Sequence, residues 1–153
     1  MGRLFDAAAA LAGVRQSVNY EAQAAIEFEA LADPDERESY SFEWEQDRVQ
    51  VRSAIETMIA DVLSGVLIPS ISAKFHNGLA NLALELCQNL RSTRGLEQVA
   101  LSGGVWQNIT LLRRTLSLLQ EAGFVVYIHH QVPTNDGGLS LGQAAIAAAR
   151  MKA

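Results

Sequence analysis

The stretch VALSGGVWQN, residues 99–108, decides how this chain is read. A short apolar run ends at Ser102, two glycines follow, and a helical pattern begins at once. Glycine lacks a Cβ, so Gly103 and Gly104 permit unusual backbone angles and let a ligand lie against the main chain. A helix starting there offers unpaired N–H groups and the positive end of a dipole, favourable to phosphate or carbonyl oxygen. Asn108, about one turn in, is placed to hydrogen-bond a ribose or a carbonyl. The spacing matches neither the dinucleotide fingerprint GxGxxG nor the phosphate loop GxxxxGK. On the letters alone, a tight turn and a ligand-facing turn both stand.

Working outward, QVALS reads as a strand, residues 105–121 as a helix, FVVYI as a second strand and residues 138–150 as a helix of small residues. This is a β-α-β-α unit whose parallel strands require a right-handed crossover. The loop VPTNDGGLSLGQA, residues 132–144, repeats the device of the first. Asn135 and Asp136 are natural helix caps, and Gly137-Gly138 open the backbone ahead of the next helix. Asp136 then falls at the carboxyl end of the second parallel strand, beside the glycine pair that ends the first. Open α/β sheets bind their ligands at that edge.

Upstream, the grammar is mostly helical. In GRLFDAAAALAG, Leu4, Ala8 and Leu11 share a face and Gly13 ends the helix. EAQAAIEFEALA is a second amphipathic helix, stopped by Asp33-Pro34. Tyr40, Phe42 and Trp44 alternate with polar residues in SYSFEWEQ, the pattern of a half-buried strand, which RVQV continues after a turn near Gln46-Asp47. Ile55, Met58, Ile59, Val62 and Leu63 follow a helix template. A longer helix begins after Pro69, with Ile71, Phe75, Leu79, Leu82, Leu86 and Leu90 spaced by threes and fours. Two parallel strands and a hairpin make a thin sheet for five helices, since parallel sheets are normally covered on both faces and bounded by further strands. The organisation expected is a helical region with a short hairpin over residues 1–96 and a β-α-β-α unit over 97–153.

The chain has 153 residues, 49% of them hydrophobic, which suits one domain with a real core. Charged residues are 19%, below the usual share of about 25%, so much of the surface is expected to be covered. The net charge is −5, and ten of the 17 acidic residues fall between Glu21 and Asp47, with Arg37 as the one base among them. Nucleic acid is excluded as a partner, because phosphate neutralisation needs clustered Lys and Arg. No apolar run reaches the roughly 18 residues of a membrane span, and the N-terminus has no signal-peptide pattern. The expectation is a cytoplasmic protein without a membrane partner.

The histidines form no metal site by themselves. His76 stands alone in a helix, and adjacent His129 and His130 at a strand end point to opposite faces. No HxxxH pair exists to join Asp136. Cys87, the single cysteine, lies in the apolar helical context LALELCQNL and reads as a small packed thiol.

MGRLFDAAAALAG, YEAQAAIEFEALA, AKFHNGLANLALEL, LSGGVWQN and VPTNDGGLSLGQA occur in this order and together resemble the C-terminal end of the HypF family. Its members are the carbamoyltransferases of [NiFe]-hydrogenase maturation. The likeness covers essentially the whole chain, and GRLFDA, YEAQAAIE and NDGGLSLGQ are highly specific as a set. It implies an α/β fold, a helix-rich piece of an actin-like ATPase (ribonuclease-H-like) lobe related to the threonylcarbamoyl-adenosine synthases, with an incomplete sheet. A full family member also carries an acylphosphatase domain, a zinc-finger region and a domain that makes carbamoyl-adenylate from carbamoyl phosphate and ATP.

Carried over residue by residue, the resemblance implies that Asp6 binds the ribose hydroxyls and that Glu21 and Gln23 line the same pocket. Gly103, Gly104 and Asn108 are implied to hold the adenylate, and Asp136 to be one ligand of a divalent metal, iron or zinc. Ala22 departs from the family, which usually has glycine there. The metal-binding histidine pair and the first phosphate-contacting segment of the family lie upstream of the position matching Met1.

The activity implied is passage of the carbamoyl group to the C-terminal cysteine of HypE, which dehydrates it to the nitrile that becomes cyanide on iron. The chain is expected to be incomplete as a catalyst and to need the upstream part of HypF, if that is separately encoded. The alternative is a non-catalytic binding or assembly remnant of the same lobe.

Overall fold

The structure, a computed structural model, describes residues 1–45 and 48–151. Its elements are α1 (Gly2–Leu11), α2 (Gln23–Ala30), β1 (Glu43–Glu45), β2 (Arg48–Gln50), α3 (Arg52–Leu63) and α4 (Ile68–Arg94). They are followed by β3 (Gln98–Leu101), α5 (Ile109–Glu121), β4 (Val125–Ile128) and α6 (Leu139–Met151). Short 3-10 turns at Gly104–Gln107 and Asp136–Gly138 precede α5 and α6.

Helix α4 is the axis of the molecule. Pro69 sits in its first turn, where a missing N–H costs nothing, and Gly95 closes it in the left-handed region, its N–H donating to Arg91 O. Ile71, Phe75, Leu79 and Leu82 are buried, as their spacing predicts, while Leu90 near the far end is exposed. Phe75 meets the edges of Phe5, Phe42 and Phe28 at ring-centroid distances of 5.2, 5.7 and 5.8 Å. These rings draw α1, α2 and the segment before β1 onto one side of α4. The buried stripe of α1 is therefore Phe5, Ala8, Ala9 and Ala12, and Leu11, expected inside, is exposed.

The strand expected over SYSFEWEQ is confined to Glu43–Glu45. Tyr40 lies before it, with its N–H donating to Lys74 O and its hydroxyl to Asp61 Oδ2 at 2.8 Å. The main chain there bonds to α4 instead of a second strand, although Tyr40 and Phe42 are buried as the alternation implies. β1 and β2 are antiparallel, with Trp44 opposite Val49. The turn expected at Gln46-Asp47 lies outside the described residues. In α3, Ala54 and Met58 carry the buried face, and Leu63, expected on it, is exposed.

β3 and β4 pair in parallel, with Leu101 opposite Ile128, and α5 connects them. Leu101, Leu119 and Phe124 form a second cluster, flanked by Leu84, Cys87, Val126 and Ile128. Cys87 is half-buried, and burial pushes its thiol pKa up. The fold is α/β, rich in helix, with two two-stranded sheets among the described residues. Only one face of the β3–β4 sheet is covered. On the other, Val125 and Tyr127 are 51% and 53% exposed, and every residue of α6 is exposed.

Candidate functional site

The two glycine-bearing loops meet. Gly103 N–H donates to Thr134 O at 2.9 Å, and Thr134 Oγ1 donates back to Gly103 O at 3.1 Å. The parallel pairing of β3 and β4 makes this possible, because both loops leave the same edge of the sheet. Ser102 Oγ and His129 Nε2, at the same strand ends, lie 2.9 Å apart.

Gly103 has φ of 107°, a conformation L side chains rarely adopt, so glycine is required there by the backbone itself. Gly138 is glycine for a different reason: a Cβ on it would lie 2.6 Å from Pro133 O. Gly104 is neither strained nor crowded, its nearest neighbour for an added Cβ being Asn135 Cβ at 3.8 Å. Its bareness is a property of the surface and not a demand of the fold.

The helix expected from residue 105 begins instead as the 3-10 turn Gly104–Gln107, and α5 starts at Ile109. Asn108 separates them in extended conformation, φ −69° and ψ 103°. Its Oδ1 accepts from Leu111 N–H at 2.7 Å, and Glu29 of α2 accepts from Thr110 N–H at 2.9 Å. The Thr110 and Leu111 amides of α5 are thus already satisfied, which leaves Ile109 N–H as the one free amide of its first three among the described residues. Further free donors sit one turn earlier: the Gly104 and Val105 N–H groups make no hydrogen bond among the described residues.

Of the other expected residues, Asp6 is half-buried on α1 and Glu21 is exposed in the turn before α2. Neither carboxylate makes a hydrogen bond or ion pair among the described residues, and neither is linked to the glycine loops. Gln23 is buried and its amide is used internally. Its Oε1 accepts from Asn19 N–H at 2.8 Å and its Nε2 donates to Glu27 Oε1 at 2.9 Å. Arg15 holds Glu27 by two hydrogen bonds of 2.7 and 2.8 Å and, with Gln23, keeps its carboxyl below the usual range. Gln23 therefore shapes the 13–22 loop. Ala22, next to it, has φ of 61° and is the one non-glycine residue in the left-handed region among those described.

Asp136 is exposed, in the 3-10 turn that Asn135 caps through Gly137 N–H at 3.1 Å. No three His, Cys, Asp or Glu residues cluster to hold a metal ion among the described residues. One carboxylate with solvent does not make a divalent-metal site of usual strength, so the residues present do not by themselves fit iron or zinc.

Thr134, Ser102 and Glu29 were not legible as site residues. Thr134 lies inside the loop quoted above, but nothing in its type announces that it staples the other loop. A further cleft of about 440 Å³, lined by Arg37, Asn77, Asn81, Arg114, Ser117 and Glu121, lies between α4 and α5 and includes none of the expected site residues.

Two glycine loops at one parallel-strand edge, backed by helices on one side only, form the kind of strand-end edge at which open α/β folds bind ligands. The profile described as "Carbamoyltransferase, Kae1-like Domain, second subdomain" matches residues 1–143. This chain belongs to the HypF carbamoyltransferase family. It is 37% identical over 148 residues to the carbamoyltransferase HypF of Synechocystis sp., covering 94% of this chain and 18% of that protein. Against HypF of Rhizobium leguminosarum bv. viciae it is 36% identical over 157 residues, covering 96% and 19%. A crystal structure of full-length HypF in the phosphate- and nucleotide-bound form superposes with a TM-score of 0.94 at 44% identity, over 100% of this chain and 21% of that one. The chain thus spans about a fifth of the length of these relatives. No helix among the described residues is long and apolar enough to cross a membrane.

Proposed function

We propose that this chain supplies one wall of a nucleotide pocket in which carbamoyl-adenylate, derived from ATP, gives its carbamoyl group to the C-terminal cysteine of HypE during [NiFe]-hydrogenase maturation. The observation that carries this reading is the stapling of Gly103 to Thr134, which sets the bare Gly104 and its free amide beside the loop bearing Asp136. A similar full-length HypF is known in a phosphate- and nucleotide-bound form, so a nucleotide is a ligand of that relative as a whole.

The chemistry is acyl transfer. The cysteine sulfur bonds to the carbamoyl carbon while the bond from that carbon to the phosphate oxygen breaks. AMP leaves with the electron pair, and the thiol proton passes to base. The residues of this chain bind and orient. The Gly104 and Val105 N–H groups donate to an anionic oxygen, the kind of fixed donor that stabilises developing charge. Asp6, Glu21 and Gln23 belong to the ribose side in this reading, and Asp136 is one candidate ligand of a divalent metal whose other ligands come from the upstream part of HypF.

The open face of β3–β4 and the bare α6 support a partner that completes the lobe, for which the upstream part of HypF is the natural candidate. Calorimetry with AMP and ATP tests the proposal. The chain alone should bind weakly or not at all, and adding the upstream polypeptide should bring binding and carbamoylation of a HypE C-terminal peptide. Gly104→Ala should abolish the binding while leaving stability within about 0.5 kcal/mol, because its methyl meets no close protein atom. Robust turnover by the lone chain would overturn the split of labour. Absence of binding with the upstream part present would favour the second reading, a non-catalytic assembly remnant.

A further inference from the structure

Three polar contacts, two buried and the last part-buried, run from α2 through α4 to the glycine loop. Ser72 Oγ donates to Phe28 O at 2.5 Å. His76, one turn on, has Nδ1 2.7 Å from Ser72 O and Nε2 2.9 Å from Asn108 Nδ2. A carbonyl oxygen only accepts, so Nδ1 carries the proton and Nε2 is left bare. A bare Nε2 only accepts, so it must face the amide nitrogen of Asn108. That leaves Oδ1 facing Leu111 N–H, where it caps α5. Each assignment forces the next. One imidazole tautomer selects one orientation of an amide 32 residues away.

Asn108 is the joint between the 3-10 turn and α5. Its own N–H donates to Val105 O and its carbonyl accepts from Leu112 N–H. Whatever holds the Asn108 side chain therefore holds Gly104–Gln107. His76 is rigidly set for this, with the rings of Phe5, Phe28 and Phe75 at 5.2, 5.9 and 6.4 Å and no exposed surface. We infer that His76 is a positioning residue: from the core of α4 it fixes the Asn108 amide and so presents the Gly104 and Val105 N–H groups in one geometry. An apolar side chain there would leave Asn108 Nδ2 without its acceptor, so that the Leu111 N–H alone would hold the amide. Burial keeps the imidazole neutral, as a single ring proton requires, with its pKa lowered to about 4.

The inference rests on the proposed function for the identity of the ligand but not for the geometry, and its test keeps the two apart. In the full chain, imidazole ¹⁵N shifts should report His76 protonated at Nδ1 and bare at Nε2 at pH 7; the opposite tautomer overturns the inference. In His76→Leu, hydrogen exchange at the Trp106 and Leu111 amides should quicken about tenfold beyond any change at mid-α4 amides such as that of Leu79. His76→Gln, whose side-chain oxygen replaces Nε2 as acceptor, should restore most of that protection. Equal quickening at α4 and at the loop, or no rescue by glutamine, would reduce His76 to a packing residue. With the upstream part of HypF added, AMP affinity should follow the same order: wild type, then His76→Gln, then His76→Leu. If the wild type binds no AMP while the exchange pattern holds, the functional reading fails and the positioning role stands.

Discussion

The α1–α4 region and the β3–α6 unit are built to different standards. The first closes around Phe75, with three aromatic edges on one ring and alanines of α1 packed without exposure. In the second, three buried residues hold one face of a two-stranded sheet, the other face is open, and α6 touches little beyond its own preceding turn. The glycine loops lie on the less finished side. The difference teaches that one core, closed around Phe75 and reaching into α5 through Leu111, carries the packing, while the sheet edge that bears the glycine loops is left open on one face.

The largest test of that contrast is Phe75→Ala. It should cost about 3–5 kcal/mol in denaturant unfolding, because the ring is fully buried and its neighbours cannot all collapse into the cavity. A loss below about 1 kcal/mol would mean the scaffold is not organised around this ring.

Acid should act next most strongly, again through the scaffold. Burial, aided by the nearby Arg114 charge and opposed by the bond to Ser72 O, lowers the His76 pKa from 6.5 to about 4. The unfolded chain takes up a proton below about 6.5 and the folded one refuses it down to about 4. This contribution is complete above pH 6.5 and is lost as pH falls towards 4, about 3 kcal/mol in all. Urea midpoints from pH 7 to 4 should fall more steeply in wild type than in His76→Gln; parallel curves would remove His76 as the cause.

Ala22→Gly should move stability the other way, by about 0.5–1 kcal/mol in the folded direction. Alanine in the left-handed region carries a penalty that glycine escapes, offset in part by glycine's freer unfolded chain. The same change restores the residue usual in the family at this place, so a loss of stability would show that φ of 61° is not a strain.

The smallest effect on stability is expected at Ile146 of α6, which is 57% exposed. Ile146→Ser should alter the unfolding free energy by no more than about 0.5 kcal/mol. The readout that should move is association: sedimentation of the wild-type chain should show oligomers driven by bare apolar faces, and the variant fewer. A monodisperse wild-type monomer would erase the contrast between the two regions.

Much of the fold was legible because periodicity reports faces. The threes and fours of Ile71, Phe75, Leu79 and Leu82 named the buried side of α4, and the β-α-β grammar placed both glycine loops at one strand edge. Periodicity was less reliable where two faces compete. On α1 the sequence favoured Leu4, Ala8 and Leu11, and contact with Phe75 turned Phe5 inward instead. The strand over SYSFEWEQ shortened because Tyr40 N–H found an acceptor, Lys74 O, on α4, a choice no local pattern encodes.

What the sequence by itself determined is the order of elements, a glycine-bearing turn at residues 103–104 and the adjacency of the two loops, since chain direction and local backbone sterics act over a few residues. That glycine is required at 103 and not at 104 emerges only in the structure. Only the tertiary structure decided which groups the polar side chains meet: Asn108 with His76, Gln23 with Asn19 and Glu27, Thr134 with Gly103. A hydrogen bond depends on positions to within a few tenths of an ångström. Such positions are set by the packing of whole helices, which no short run of letters specifies.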